Sequence, residues 1–239
     1  MAGYSPAIYA FVRWAVKTFY FGTHGGLRTM NHGNVPASGG VLLAPNHVSH
    51  LDPPAACCAL HRPVHCMAKE ELFKNKLFGW LITALAAFPV KRGEGDTESI
   101  RTAMALLEAG EVVLLFPEGT RGDGTTLQPI SRGVALLAKR TGVPVVPVGI
   151  TGTHLVMPRD KSTKARKHAM IVACGRPFTY QEIATSSSEK ENREIFARTL
   201  QERILEMCRE NGLPLKIGAE TRSQTESSAP ERGSVEPTV

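Results

Sequence analysis

The sequence lacks a hydrophobic run long enough to cross a bilayer. Its best uncharged apolar run, Leu77 to Val90, covers 14 residues, whereas a membrane-spanning helix needs roughly 20. The beginning of the chain also lacks a basic region followed by an apolar segment and a small-residue cleavage site, so we expect no secretory signal. Contact with a membrane is therefore predicted to be peripheral or monotopic.

The cysteines do not form the patterns that disulfide-rich or zinc-binding proteins use. There are five, an odd number, and no two of them form a C-x-x-C pair. This argues against a disulfide framework or a zinc ribbon and indicates a reducing cytoplasm. We expect Cys57 and Cys58 to be buried packing residues, since they lie in an apolar run.

The motifs of two common enzyme classes are missing as well. Neither the G-x-S-x-G motif of serine hydrolases nor the glycine-lysine pattern of P-loop nucleotide enzymes occurs. The formal charge is +6, but no nucleic-acid-binding motif or aromatic-basic pattern accompanies it, so we predict no nucleic-acid partner. The positive charge can instead face an anionic membrane or a phosphorylated small molecule.

Short apolar runs alternate with helical stretches along the chain, which predicts an α/β fold. These runs lack strict period-two alternation, as expected for central strands that are covered on both faces. The predicted strands are Val41 to Ala44, Val64 to Ala68, Phe88 to Val90, Val112 to Phe116, Val145 to Ile150 and Met170 to Cys174. The predicted helices lie near 74–86, 97–109 and 130–140, with a last one from Glu189 to Glu210.

Both ends of the chain differ from this central part. Residues 1–24 contain an aromatic and apolar segment, Pro6 to Phe21, whose Arg13 and Lys17 fall on one helical face. This pattern predicts an interfacial helix with its cations at lipid headgroups, and a helix that packs on the domain is the alternative. Residues 218–239 are rich in Ser, Thr, Glu and Pro, and we expect a disordered tail there.

A histidine and an aspartate lie five residues apart in a predicted strand-to-helix loop. His47 follows Pro45-Asn46, and Asp52 precedes two prolines that suit the first turn of a helix. A carboxylate on one imidazole nitrogen leaves the other free to accept a proton, so the pair can act as a general base. The alternative is a loop histidine beside an aspartate that only caps the helix.

Two further loops carry groups that suit a phosphate. The segment Phe116 to Arg121 ends a strong apolar strand, and Arg121 can donate two parallel hydrogen bonds to phosphate oxygens. The amides of Gly119 and Thr120 can add donors if the turn aims them inward, although a plain polar turn is the alternative.

Arg92 and Lys69 also follow predicted strands. In a parallel sheet the loops after the carboxyl ends of the strands share one edge. His47, Lys69, Arg92 and Arg121 can therefore converge on one anionic ligand, and the alternative for any one of them alone is a solvated surface charge.

Four ordered segments resemble the glycerolipid acyltransferase family typified by 1-acyl-sn-glycerol-3-phosphate acyltransferases. Residues 46–53 (NHVSHLDP) resemble the NHxSxxD block, and 116–121 (FPEGTR) match the third block fully. Residues 88–92 and 143–148 resemble the second and fourth blocks, and 68–72 match a segment between the first two. The resemblance covers about 25–180 and implies a mixed, largely parallel central sheet flanked by helices, with an acyltransferase domain at 25–217.

The resemblance also implies roles for individual residues. His47 deprotonates the acceptor hydroxyl, and Asp52 orients His47; both are the implied catalytic residues. The residues implied to bind substrate are Lys69, Arg92, Glu118, Gly119, Thr120, Arg121 and Pro147.

The implied reaction moves a fatty acyl group from acyl-CoA or acyl-carrier protein to the hydroxyl of 1-acyl-sn-glycerol 3-phosphate, giving phosphatidic acid. No cofactor or metal is expected, and the place of action is the cytoplasmic face of the cell membrane. Pro89 stands where a small aliphatic residue is commoner in the family, which leaves another lysolipid or glycerol 3-phosphate as an alternative acceptor.

Two other classes of function remain as alternatives. His47, His50, His61 and His65 are close in sequence, and imidazole is a common zinc ligand, so a metal-dependent hydrolase is one alternative. The aromatic N-terminal segment and the basic stretch from Arg159 to Lys167 suggest a non-catalytic membrane-binding module as the other.

Overall fold

A mixed seven-stranded sheet with helices on both faces forms the centre of the fold. The computed structural model of the protein describes residues 4–90, 97–159 and 166–218. The strands are β1 (Leu27–Met30), β2 (Val41–Pro45), β3 (Val64–Lys69), β4 (Ala87–Val90), β5 (Val112–Leu114), β6 (Thr126–Leu127), β7 (Val145–Thr151), β8 (Met170–Cys174) and β9 (Lys216–Ile217). The helices are α1 (Pro6–Ala15), α2 (Asp52–Ala59), α3 (Lys76–Ala84), α4 (Thr97–Glu108), α5 (Arg132–Thr141), α6 (Thr153–Val156), α7 (Tyr180–Ile183) and α8 (Glu189–Glu210).

The order of the strands brings five carboxyl ends to one edge of the sheet. The order is β1-β8-β7-β2-β5-β3-β4, while β6 and β9 form a separate pair. Strands β7, β2, β5, β3 and β4 run parallel, and β8 is antiparallel to β7. We call the edge where these five parallel strands end the carboxyl edge, and the loops that leave it are the expected position of a ligand site.

The central strand β2 shows why the sequence lacks an alternating pattern. All five of its residues are buried. Leu42 and Ala44 pack in one core cluster with α4, α5 and α8, whereas Val41 and Leu43 pack in a second cluster with α2. Because both faces of the strand are covered, every position is apolar.

The predicted α/β fold with a mixed, largely parallel sheet is confirmed. All six predicted strands are present, although β5 ends at Leu114 instead of Phe116, and α8 has the predicted bounds. Strand β1 was not predicted, because its four residues alternate between half-buried and exposed positions at the edge of the sheet. The short elements α6, α7, β6 and β9 offer too few residues for a periodic pattern.

The N-terminal segment packs on the domain through part of its surface. Helix α1 continues as a π-helical turn over Val16–Phe21, and Tyr9 and Phe21 are buried. The Tyr9 hydroxyl accepts a hydrogen bond from the Val64 amide at 3.1 Å, and Arg13 donates one to the Leu60 carbonyl. The prediction that Arg13 extends to lipid headgroups is therefore wrong, because its guanidinium is held by the domain.

Several predictions concern residues outside the described ranges. Lys91 and Arg92 are among them, as are residues 219–239 of the predicted tail and most of the basic stretch after Arg159. The predicted domain boundaries stay predictions. Among the described helices, none combines the length and the apolar character that crossing a membrane requires.

Candidate active site

The loop between β2 and α2 folds around the carboxylate of Asp52. Asp52 is the first residue of α2, and Leu51 occupies the N-cap position without a side-chain cap. Asp52 Oδ2 instead accepts hydrogen bonds from the amides of Val48 and Ser49, both at 2.7 Å. The alternative that Asp52 only caps the helix is wrong, because its carboxylate turns back to the loop before the helix.

The same carboxylate binds the imidazole of His47. Asp52 Oδ2 lies 2.8 Å from His47 Nδ1, and Oδ1 accepts a hydrogen bond from Thr153 Oγ1 at 2.6 Å. Asp52 is fully buried, so these four donors offset the cost of removing its charge from water.

His47 is held in one orientation and one tautomer. Its ring is stacked on Phe116, with 3.8 Å between the ring centroids and 20° between the planes. Because a carboxylate only accepts hydrogen bonds, the proton of the neutral imidazole is on Nδ1. Nε2 is therefore the nitrogen that can accept a proton, and the arrangement is that of a general base.

Glu118 joins the loop after β5 to the His47 loop. Its Oε1 accepts a hydrogen bond from the His47 amide at 2.7 Å, and Oε2 accepts one from the Gln128 amide at 2.9 Å. The Gly122 amide donates to the His47 carbonyl at 2.7 Å, which completes a second link. Burial raises the pKa of Glu118 to about 7, against the opposing effect of the two amide hydrogen bonds.

The residues after Glu118 form a tight turn. Gly119 has a φ of 67°, and its amide donates to the Phe116 carbonyl at 3.0 Å. This amide is therefore engaged within the turn and is not aimed at a ligand. Thr120 is exposed and Arg121 is half-buried, while the Arg121 carbonyl accepts a hydrogen bond from Arg159 Nη1 at 2.7 Å.

Two cations lie at or after the ends of parallel strands that end at the same edge of the sheet as β2, which precedes His47. His50 belongs to the His47 loop, and its pKa is lowered by partial burial and by the positive charges of Arg121 and Lys69, against the opposing charge of Asp52. Lys69 is exposed at the end of β3. Lys69 ends β3, and His47 and Arg121 follow β2 and β5, so all three lie at the carboxyl edge, whereas Arg92 is outside the described residues. Their convergence on one anionic ligand stays a prediction.

Pro147 does not lie with these residues. It is buried inside β7 and is paired in register with Ala44. Its carbonyl accepts a hydrogen bond from the Gly175 amide at 2.8 Å. In the structure this is a position within the sheet, before the strand reaches the carboxyl edge.

Two residues of the site were missed from the sequence. Asn46 is fully buried, and its side-chain amide donates to the Ile150 carbonyl at 3.0 Å and accepts from the Ile150 amide at 2.7 Å. Thr153 is the first residue of α6, just after β7, and its hydroxyl donates to Asp52. The segment resembling the family's first block could have drawn attention to Asn46, but no sequence signal connects Thr153 with a residue 101 positions away.

The histidines that suggested a zinc site are not gathered. His65 is near the beginning of β3, where its Nε2 lies 3.6 Å from a carboxylate oxygen of Glu111, and the ring of His61 contacts His32. His47 is instead at the opposite, carboxyl edge. Within residues 4–90, 97–159 and 166–218, no three or more His, Cys, Asp or Glu side chains are grouped so that they could hold a metal ion.

The α/β fold has a mixed sheet, and a buried His-Asp pair and cations lie at its carboxyl edge. This combination defines an enzyme site suited to general-base catalysis. A family model described as Acyltransferase matches residues 27–151, which is more than half of the chain. The chain belongs to this acyltransferase family.

Individual relatives agree with this assignment. The chain is 32% identical over 201 residues to the 1-acyl-sn-glycerol-3-phosphate acyltransferase of Bacillus subtilis (strain 168), covering 84% of this chain and 96% of the relative. It is 30% identical over 150 residues to the chloroplastic 1-acyl-sn-glycerol-3-phosphate acyltransferase BAT2 of Brassica napus, covering 61% of this chain and 42% of that one. The chain thus matches less than half of the plant relative.

A solved structure has the same fold. The crystal structure of the 1-acyl-sn-glycerophosphate (LPA) acyltransferase PlsC from Thermotoga maritima superimposes with a TM-score of 0.66 at 24% identity. The match covers 84% of this chain and 78% of that one. The family resemblance and the fold predicted from the sequence are therefore confirmed.

Proposed function

We propose that the protein transfers a fatty acyl group from an acyl thioester to the free hydroxyl of 1-acyl-sn-glycerol 3-phosphate, giving phosphatidic acid. The observation that carries this proposal is the buried His47–Asp52 pair, joined at 2.8 Å at the carboxyl edge of the sheet. The names of the bacterial and plant relatives support the choice of acceptor. The cations beside His47 suit the phosphate of such a lipid.

The chemistry is a direct transfer without an acyl-enzyme. His47 Nε2 takes the proton of the acceptor hydroxyl while its oxygen attacks the thioester carbonyl. The new C–O bond forms, the C–S bond breaks, and the imidazolium returns the proton to the departing thiolate. Asp52 keeps the proton on Nδ1 and offsets the positive charge that His47 gains, and such assistance is worth roughly 10² to 10⁴ in rate.

The phosphate of the acceptor binds to cations at the carboxyl edge. Arg121 and Lys69 supply positive charge there, and Arg92 and the Thr120 hydroxyl complete the proposed set. Glu118 contributes by joining the His47 loop to the turn that carries Arg121, since both of its oxygens accept backbone hydrogen bonds. Gly119 supports the shape of the turn after Glu118, and Pro147 supports the site from within β7.

The acyl donor is acyl-CoA or acyl-carrier protein, and no cofactor or metal takes part. We place the enzyme at the cytoplasmic face of the membrane as a peripheral or monotopic protein. Exposed apolar side chains on the N-terminal segment and on α3, which contacts α1, support contact with a membrane. They are Phe11, Trp14 and Phe19 in the N-terminal segment and Leu77, Phe78 and Trp80 on α3.

The membrane proposal is tested by sedimentation with vesicles that contain anionic lipid. Trp14→Ser combined with Trp80→Ser is expected to lower the bound fraction, because both indoles are lost from the apolar surface. Leu136→Ser is the control, since Leu136 is also an exposed apolar residue. It lies on α5, which packs in a different core cluster from the N-terminal segment. Equal binding of all three proteins would reject this surface.

The catalytic proposal is tested with purified protein, an acyl thioester and 1-acyl-sn-glycerol 3-phosphate. His47→Ala is expected to lower turnover by about 10² or more because the general base is lost, while His61→Ala, at the other end of the sheet, is the control. Wild-type turnover by His47→Ala would reject the mechanism.

Arg121→Ala is expected to raise KM for the phosphorylated acceptor, and an unchanged KM and kcat would reject the phosphate assignment.

A further inference from the structure

Thr153 lies two residues beyond the part of the chain that the family model matches, yet its hydroxyl contacts the centre of the site. We propose that Thr153 is a positioning residue that fixes the Asp52 carboxylate in the orientation in which it holds His47. This inference rests on the proposed role of His47 as a general base. Thr153 touches Asp52 and acts through it.

The two oxygens of Asp52 are held very differently. Oδ2 accepts from three donors, which are His47 Nδ1 and the amides of Val48 and Ser49. For Oδ1 the described residues supply one hydrogen bond, from Thr153 Oγ1 at 2.6 Å. The carboxylate can rotate about its Cβ–Cγ bond, and the Thr153 hydroxyl on Oδ1 opposes this rotation from the side that the three donors on Oδ2 do not hold. The plane of the carboxylate determines whether Oδ2 faces Nδ1 directly.

The backbone before Thr153 is shaped to aim this hydroxyl. Gly152 has a φ of 80°, and a Cβ at this position would lie 2.2 Å from the Ala169 carbonyl oxygen. Only glycine fits such a turn. The turn takes the chain from β7 into α6 with Thr153 fully buried.

A second contact joins the same segment to the His47 loop. Ser49 Oγ donates a hydrogen bond to the Met157 carbonyl at 2.9 Å, just after the end of α6. Residues 152–157 therefore support the loop at two points, one on Asp52 and one on Ser49. The support of the general base comes from β7 and α6 as well as from the loop itself.

Loss of the hydroxyl should affect turnover and leave substrate binding unchanged. Without Thr153 Oγ1, Oδ1 of the buried carboxylate loses its donor among the described residues, and the carboxylate turns toward another partner. His47 is then less well oriented when it takes the proton. Among the described residues, the Thr153 hydroxyl donates its hydrogen bond to Asp52 and to none of the proposed substrate-binding residues, so KM for the acceptor should stay the same.

The experiment compares two buried threonines at and just after the end of β7, Thr151 and Thr153. Thr153→Val keeps the shape and removes the hydroxyl, and kcat is expected to fall about tenfold or more, the effect of losing a hydrogen bond to a charged group. Thr153→Ser keeps the hydroxyl and should restore kcat. Thr151→Val is the matched control, because Thr151 is also buried and its hydroxyl donates to the Asn211 carbonyl at 2.9 Å.

Three results would overturn the proposal. They are a wild-type kcat in Thr153→Val, an equal fall in kcat in Thr151→Val, or an equal effect of Thr153→Ser and Thr153→Val. If Thr153→Val does not fold, Thr153→Ser and Thr153→Ala provide the comparison, since both lack the methyl group and only one keeps the hydroxyl.

A readout without substrate separates this inference from the proposed function. The His47 Nδ1 proton, hydrogen-bonded to Asp52, should give a downfield NMR resonance that is absent from His47→Ala. Thr153→Val should shift or broaden this resonance, and Thr151→Val should not. An unchanged resonance in Thr153→Val rejects the role of Thr153, whereas a wild-type protein that transfers no acyl group rejects the proposed function.

Discussion

Replacing Glu118 by glutamine should change how the stability of the protein depends on pH. The carboxyl of Glu118 is buried, and its pKa is raised from 4.5 to about 7. The folded protein therefore holds a proton on Glu118 at pH values where the unfolded chain has released it. Below about pH 4.5 the Glu118 carboxyl is protonated in the folded and the unfolded state, so it costs no stability. As the pH rises from there through the folded pKa of about 7, the free energy of unfolding falls.

The expected size follows from the shift. The change from 4.5 to about 7 corresponds to on the order of 3 kcal/mol in the free energy of unfolding between pH 4 and pH 8. Glutamine does not titrate, so Glu118→Gln should lack this part of the pH dependence. As the pH rises, the free energy of unfolding of the wild type should therefore fall by that amount relative to that of Glu118→Gln.

Urea unfolding followed by far-UV circular dichroism measures this difference at each pH. Glu206→Gln, which removes a negative charge from an exposed position on α8, controls for the change in net charge. If the unfolding free energies of the wild type and Glu118→Gln run parallel from acid to neutral pH, the burial argument is refuted.

Three further outcomes are expected. Asn46→Ala should lower the free energy of unfolding by about 2 to 4 kcal/mol, measured by urea unfolding, because it removes two buried hydrogen bonds to the backbone of Ile150; a loss below this range would show that other groups replace them. Gly152→Ala should lower the melting temperature and kcat together, since a Cβ there meets the Ala169 carbonyl at 2.2 Å; an unchanged melting temperature would contradict the turn geometry. Treatment with EDTA followed by gel filtration should leave transfer unchanged, because His47 and Asp52 are already bound to each other; loss of activity that zinc restores would favour the metal-dependent hydrolase.

The strands and the main helices could be predicted because their patterns are local. The run Val41 to Pro45 is apolar throughout, and the long helix α8 shows a helical period, so neither depends on distant residues for recognition. The edge strand β1 could not be predicted in the same way. Its four residues pair with β8, and that pairing is decided by chain segments more than 140 residues apart.

The site was predictable only where it consists of adjacent residues. His47 and Asp52 are close in sequence, and their contact follows from one loop. The sequence left open whether Asp52 only caps α2, and the structure shows that its carboxylate binds the amides of Val48 and Ser49, which precede the helix. Thr153 could not be found from the sequence, since only the placement of β7 beside β2 brings it to Asp52.

The backbone link between Glu118 and His47 has a consequence for how the parts of this protein can be exchanged. The hydrogen bond between Glu118 and His47 joins loops that are 71 residues apart in sequence, so that the position of one depends on the other. The hydrogen bond between Thr153 and Asp52 connects a third segment to them. A chimera that takes the FPEGTR segment from a relative should also take the loop around His47 and residues 152–157 from that relative. Otherwise it will contain all the sequence motifs, but His47 will not be correctly oriented as the general base. Libraries that vary acceptor preference are therefore best built by exchanging these three loops together.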